Sequence, residues 1–258
     1  MNIVVCVKQI PDPADPGALD PESKTLKRDG KLILDESDSY GVEMALQLVG
    51  DSGEVTLVSM APNGEVSGLR TALAMGAAKA VLVSDDALKG SDALTTAKVL
   101  AAAIGKAGEY DLVLAATESS DGYTGVVPEQ IAAVLGLPSV TFAKSVTIDG
   151  DTVKVDRQTE AGYDECESPL PALVSVTAGV VEPRYPSFKG IMAAKSKPVD
   201  TVTVADLGID AAIVGWAGAG QEIVNVEAAP EREAGEVIED DGEAHLKIVE
   251  FLDGLKVL

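Results

Sequence analysis

The stretch of the chain best suited to hold a charged ligand is ATESSDGYTG, residues 116–125. It leaves the apolar run DLVLA and enters a segment of helical spacing at Thr124. Hydroxyls at Ser119, Ser120 and Thr124 can donate to an anion, and Gly122 and Gly125 let the backbone approach it. A helix N-terminus adds unpaired N–H groups and the positive end of the helix dipole. Together these make a cradle suited to a nucleotide phosphate. Three other places meet the same edge of a parallel sheet: Cys6 at the end of the first apolar run, LDESD (34–38) ahead of a helix, and Met60 after VTLVS. Asp35 or Asp38 could accept hydrogen bonds from ribose or adenine, and Asp38 also stands where a helix cap is needed.

Other chemistries find no support. His245 is the only histidine, and Cys6 and Cys166 are far apart in the chain, which argues against zinc and against a Ser-His or Cys-His nucleophile. No G-x-x-x-x-G-K-[ST] occurs, and no G-x-G-x-x-G follows a strand. GWAGAG (215–220) has the wrong order and reads as a flexible linker. A hydrolase built on Ser120 and Asp121 lacks a residue placed as base.

The elements that must position the cradle follow from hydrophobic periodicity. NIVVCV (2–7), EVTLVSMA (54–61), AVLVSD (80–85), DLVLAAT (111–117) and PALVSVTAG (171–179) are buried strands. Helices are expected from Asp38 to a stop at Gly50, over 66–76, over 91–108 with Ser91 as N-cap, and over 124–136 with Val127, Ile131, Val134 and Leu135 on one face. Apolar strands alternating with amphipathic helices imply a doubly wound, mostly parallel α/β sheet with its ligand at the strand ends. Asp29-Gly30 inside TLKRDGKLIL signals a hairpin, and so does Asp149-Gly150-Asp151 inside SVTFAKSVTIDGDTVKVDRQ. Two parts are expected: a nucleotide-binding body over 1–204, and a linker and arm over 205–258. The arm includes the acidic EREAGEVIEDDGE and a final helix with Leu246, Val249, Leu252 and Leu255 near one face.

Charge divides the chain. Its 258 residues carry 20 Lys+Arg against 42 Asp+Glu, a net −22, which argues against nucleic acid as a partner. Yet Pro183–Pro198 contains no acid; Arg184, Lys189, Lys195 and Lys197 alternate there with Tyr185, Phe188, Ile191 and Met192. A basic segment with an apolar tip fits docking to a partner: the tip anchors and the charges steer. The alternative is a helix that packs its apolar face inward. MNIVVCVKQIPDP lacks a signal peptide's basic start, and Lys8 interrupts its apolar run; no stretch is long enough to cross a bilayer. The expected location is the bacterial cytoplasm, or the mitochondrial matrix in a eukaryote.

In order along the chain, VVCVKQIPD, RTALAMGA (70–77), ATESSDGYTGVVPEQIA, VDRQTEAGYDECESPLPALVSVT (155–177) and VEPRYPSFKGIMAAKSKPV (181–199) resemble the β subunit of the electron transfer flavoprotein. The resemblance covers nearly the whole chain. It implies an electron carrier subunit, not an enzyme by itself, with an adenine-nucleotide α-hydrolase-like fold. Its partner is an α subunit that holds most of the FAD. It implies electron transfer from acyl-CoA-type dehydrogenases, as in fatty acid oxidation, to a quinone oxidoreductase or another acceptor. A structural AMP is implied in this subunit, at Cys6, Asp35, Glu36, Ser37, Asp38, Met60 and the loop Ala116, Thr117, Glu118, Ser119, Ser120, Asp121, Gly122, Tyr123 and Thr124. The backbone of Gly122, Tyr123 and Thr124 is expected to meet the phosphate. Dehydrogenase docking is implied at Arg184, Tyr185, Phe188, Lys189, Ile191 and Met192. Phe188 stands where the family often has leucine at the loop's tip. Aromatic residues that the mitochondrial type places near the flavin are replaced here by Pro13 and Ser37. Two other readings are an electron-bifurcating relative with a second FAD in place of AMP, and a non-redox nucleotide-binding module of the universal stress type.

Overall fold

The computed structural model describes residues 1–15, 17–61, 63–227, 230, 235, 237–240 and 242–257. These form two compact units, Met1–Ile223 and Val224–Leu258.

The first unit runs β1 (Asn2–Cys6), β2 (Gln9–Pro11), β3 (Leu32–Leu34), α1 (Glu36–Val49), β4 (Glu54–Met60), α2 (Ser67–Met75), β5 (Lys79–Val83), α3 (Ala93–Ala107), β6 (Leu112–Ala116) and α4 (Val127–Leu135). It continues through β7 (Ser139–Asp149), β8 (Thr152–Thr159), β9 (Gly162–Pro169), β10 (Ala172–Val176), α5 (Phe188–Ala194), β11 (Val199–Val202) and a short α6 (Gly215–Gly218). Nine strands make one sheet in the order β11-β5-β4-β1-β6-β10-β7-β8-β9. It is parallel from β11 to β7, and β8 and β9 then extend it antiparallel. This is the expected doubly wound α/β fold.

Strands β1, β4, β6 and β10 are apolar on both faces because helices cover both. One face packs Val5, Leu57 and Leu114 with Val42 of α1 and Leu69 and Leu73 of α2. The other packs Val4, Val58 and Val113 with Val99 and Ile104 of α3 and Ile131 of α4. Burying a Val, Leu or Ile side chain contributes roughly 1.5–3 kcal/mol, so this two-layer core dominates the unit's stability. After β1 the chain moves outward through β4 and β5, then returns to β6 on β1's other side. The topological switch lies there, and the crevice beyond these strand ends is where such sheets place a ligand.

Several local expectations are corrected. Asp29-Gly30 does not turn a hairpin: β3 pairs antiparallel with β2, Gln9 against Leu34, and the long 12–31 connection lies between them. The N-cap of α1 is Asp35, not Asp38, and the N-cap of α3 is Asp92, not Ser91. Helix α4 begins at Val127, three residues after Thr124, with Pro128 in its first turn; Val134 is 48% exposed and not part of the buried face. The second hairpin is present with Gly150 at φ +59°, and β9 makes it a three-stranded meander. GWAGAG is not a free linker: Gly215 donates to Ser91 Oγ at 3.0 Å, the Trp216 N–H donates to Lys89 O at 2.9 Å, and the indole covers Gly90, whose Cβ would fall 2.1 Å from the ring.

The second unit contains α7 (Ala244–Gly254), with Leu246, Val249 and Leu255 exposed. Much of the acidic EREAGEVIEDDGE lies outside the described residues.

Candidate nucleotide cradle and docking segment

Asp35 sits at the junction of β3 and α1, fully buried. Its Oδ1 accepts from the Ser37 N–H at 3.0 Å, capping α1, and its Oδ2 accepts from the Ser120 N–H at 2.7 Å. One carboxylate thus fixes a helix start and pins the loop after β6. Asp38, one turn into α1, accepts from the Lys8 N–H at 2.5 Å and so ties down the residues just past β1. Burial pushes its carboxyl well above the usual range, with Asp35 nearby adding to the effect. Cys6 is buried on the α3–α4 side of the sheet among Val4, Val58 and Val113. Burial, with Asp38 nearby, pushes its thiol up to about 12, so it stays protonated and unreactive. Met60 is half-buried against the same layer.

The loop itself is clamped from below. Lys8 Nζ donates to Asp121 Oδ1 at 2.6 Å and to Ser119 Oγ at 3.1 Å, and Arg28 Nη2 donates to Asp121 Oδ2. Burial alone would raise the Asp121 carboxyl, but the two cations outweigh it and hold it below the ordinary range. An aspartate held in this way is no general base, and the hydrolase reading loses its central residue.

Beyond the clamp the backbone is open. Tyr123 (φ +49°) and Gly125 (φ +63°) take left-handed conformations, the kind of backbone that turns successive N–H groups into an anion-binding concavity. Among the described residues the N–H groups of Thr124, Gly125, Val126 and Val127 have no hydrogen bond. The open amides therefore extend three residues further along the chain than Thr124. Gly122 and Tyr123, expected at a phosphate, bond back to Ser119 O at 3.4 and 3.0 Å.

The structure gathers Asp35, Asp38, Ser119, Ser120 and Asp121 at the ends of β1, β3 and β6. Glu36 lies in the first turn of α1, and Ala116 is the last residue of β6. Ser37, Thr117 and Glu118 line an open cleft of about 670 Å³, with Phe142, Arg157 and Thr177, and Glu118 Oε2 would lie 3.3 Å from a Cβ on Gly125. Sequence reasoning missed Lys8 and Arg28. The signal for Lys8 was its place as a lone cation directly after an apolar strand; Arg28 lies on the 12–31 connection and had none.

In the basic segment, Tyr185 is 94% and Phe188 81% exposed, and Ile191 and Met192 are about half exposed. Only Ala194 of α5 is buried, so α5 does not turn this apolar face inward. Arg184 donates through Nε to Glu43 Oε2 at 2.6 Å and through Nη2 to Glu43 Oε1 at 3.0 Å. Glu43 is buried on α1; burial raises its carboxyl, but the bonds from Arg184 and Gln47 prevail and lower it. Among the described residues no cluster of His, Cys, Asp or Glu could hold a metal, and no helix is long and apolar enough to cross a membrane.

Comparison with known proteins gives a consistent result. The electron transfer flavoprotein domain model matches residues 24–207. The chain is 40% identical over 264 residues to "Electron transfer flavoprotein subunit beta" of Mycobacterium leprae, covering 100% of this chain and 99% of that protein. It is 36% identical over 271 residues to the protein of the same name from Megasphaera elsdenii, covering all of both. It is also 36% identical over 241 residues to "Caffeyl-CoA reductase-Etf complex subunit CarD" of Acetobacterium woodii, covering 92% of each. The doubly wound sheet and this similarity over the whole chain place it in the electron transfer flavoprotein β-subunit family.

Proposed function

We propose that this chain holds AMP as a structural ligand and docks acyl-CoA-type dehydrogenases, within a heterodimer that passes their electrons to a quinone oxidoreductase or another acceptor. The observation that carries the nucleotide half is the run of open N–H groups from Thr124 to Val127, on the loop that the buried Asp35 pins through Ser120. These groups suit a phosphate; Asp35, expected to accept from a nucleoside, is fully buried with both oxygens engaged by Ser37 and Ser120 and is not open to one. Lys8, Arg28 and Asp35 contribute by fixing the loop that presents the amides. The docking half rests on the exposed Tyr185, Phe188, Ile191 and Met192.

The FAD of the heterodimer, held mainly by the α subunit, supplies the redox chemistry when bound. This chain's residues are asked only to bind, position and dock; none is asked to move a proton. The chain is an electron carrier subunit and not an enzyme by itself.

A second reading, a bifurcating relative with FAD in place of AMP, is favoured by the similarity to the Acetobacterium woodii complex subunit. Co-expression with the α subunit, followed by mass spectrometry of the ligands released on denaturation, separates the two. One FAD and one AMP per heterodimer supports the first reading. Two FAD and no AMP supports the second. A chain that ignores the α subunit would overturn both.

A further inference from the structure

The motif RTALAMGA, residues 70–77, carries part of the family likeness yet lies outside both the cradle and the exposed docking face. Its residues belong to α2 and the turn after it, and α2 is what α5 packs against. The contact is close: a Cβ on Gly190 would fall 2.4 Å from Ala74 O. From α2, Arg70 Nη1 reaches across to Ala194 O and Lys197 O, each at 2.7 Å. In the opposite direction, Lys197 Nζ reaches Leu73 O at 2.9 Å and Ala77 O at 2.7 Å. Each helix thus ends on a cation supplied by the other's segment, where unpaired carbonyls and the negative end of the dipole favour positive charge. At the other end of the segment, Arg184 is closed on the buried Glu43.

Helix α5 has seven residues. A helix so short does not hold itself together in water, so beyond its Ser187 cap its order comes from these contacts. The side chains of Lys189 and Lys195 are exposed and have no hydrogen bond or ion pair among the described residues.

We propose that Arg70, Lys197 and Arg184 are positioning residues, the first two holding α5 pre-formed against α2 and Arg184 tying the segment that leads into it to α1, and that only Lys189 and Lys195 present charge to a docking partner. The proposal rests on the docking reading and divides its four basic residues into two pairs with different work. A pre-formed helix lowers the ordering cost of association, while free lysines raise its rate in a salt-dependent way.

The test uses the flavin-loaded heterodimer, with an acyl-CoA dehydrogenase and its acyl-CoA as electron donor. Lys197→Gln and Arg70→Gln should speed hydrogen exchange of the α5 amides about tenfold or more, the loss expected for a charged hydrogen bond. They should raise KM for the heterodimer at constant kcat, with flavin content and the salt dependence of association unchanged. Lys197→Arg, which keeps a cation in place, should retain protection. Lys189→Gln with Lys195→Gln should leave exchange as it is and flatten the salt dependence. The proposal is overturned if the clamp variants leave exchange unchanged, if Lys197→Arg loses as much protection as Lys197→Gln, or if Lys197→Gln flattens the salt dependence as much as the Lys189 and Lys195 pair does. A KM indifferent both to the steering variants and to Phe188→Ala, with exchange as expected, would instead sink the docking reading and the charge half of the proposal with it.

Discussion

Asp35 Oδ2 accepts the backbone N–H of Ser120 at 2.7 Å across 85 residues of sequence, while its Oδ1 caps α1 through Ser37. The helix that opens the β3–α1 unit and the loop that carries the open amides therefore share one buried side chain. Asparagine can keep the cap through its carbonyl oxygen, but its amide nitrogen cannot accept from Ser120. Asp35→Asn should cost about 1–3 kcal/mol, the range for leaving a buried donor unpaired, and should release bound nucleotide. Asp35→Ala should lose about 1 kcal/mol more, for the cap. Thermal unfolding and ligand content measured on both variants check this; equal nucleotide retention in wild type and Asp35→Asn would contradict it.

Asp121 and Asp38 should respond to pH in opposite directions. The folded Asp121 is held below the ordinary carboxylate value by Lys8 and Arg28. Its contribution is present above the unfolded pKa of about 3.9 and is lost as pH falls through the lower folded value. Asp121→Asn should therefore destabilise at pH 7 by about 1–3 kcal/mol, and the gap should close in acid. Asp38 is raised by burial and by Asp35, so its ionisation costs stability as pH rises through its folded value. Asp38→Asn should gain stability at neutral pH and lose that gain on acidification. Denaturant titrations from pH 3 to pH 8 test both; parallel curves would contradict the assignment.

Gly68 is a third test, at the place where the β2–β3 ribbon meets α2. A Cβ there would fall 2.8 Å from Leu34 N, 2.9 Å from Ile33 C and 2.8 Å from Gln9 Cγ. Two of these atoms are backbone and cannot swing away. The Gly68 N–H also donates to the buried Gln9 Oε1 at 2.9 Å, in a helix start that has no cap of its own. Gly68→Ala should cost about 1–3 kcal/mol as overpacking, although alanine is the better helix former. A stabilised variant would show that the ribbon moves freely.

What could be read from the sequence was what periodicity encodes. β1, β4, β5, β6 and β10 are predominantly apolar runs because both faces are covered, and Gly50 and Gly76 end their helices as expected. The pairing of β2 with β3 is non-local, and the nearer Asp-Gly offered a plausible but wrong turn. β9, GYDECESP, has little apolar alternation and forms by extending β8 at the sheet's edge. Pro128 marked the true start of α4, since proline suits a first turn, and Thr124 drew attention away from it. In the site, the loop and the aspartates were visible as residue types. The roles of Lys8, Arg28, Glu43 and Arg70 were not, because each acts on a partner between 93 and 141 residues away.

Phe188 stands at the start of α5, 81% exposed, beside a Tyr185 that is 94% exposed. Its removal takes little from the folded chain, so Phe188→Ala should change stability by less than about 0.5 kcal/mol. If it anchors the partner, the same change should weaken docking by about 2 kcal/mol or more, a rise in KM of roughly thirtyfold. Ile191 and Met192, each about half exposed, should give smaller losses, because part of their surface already serves the helix. Steady-state transfer from the dehydrogenase, measured with flavin content on the same samples, separates the outcomes. A rise in KM with flavin intact fits a docking anchor; loss of flavin would instead make Phe188 part of the subunit's own assembly.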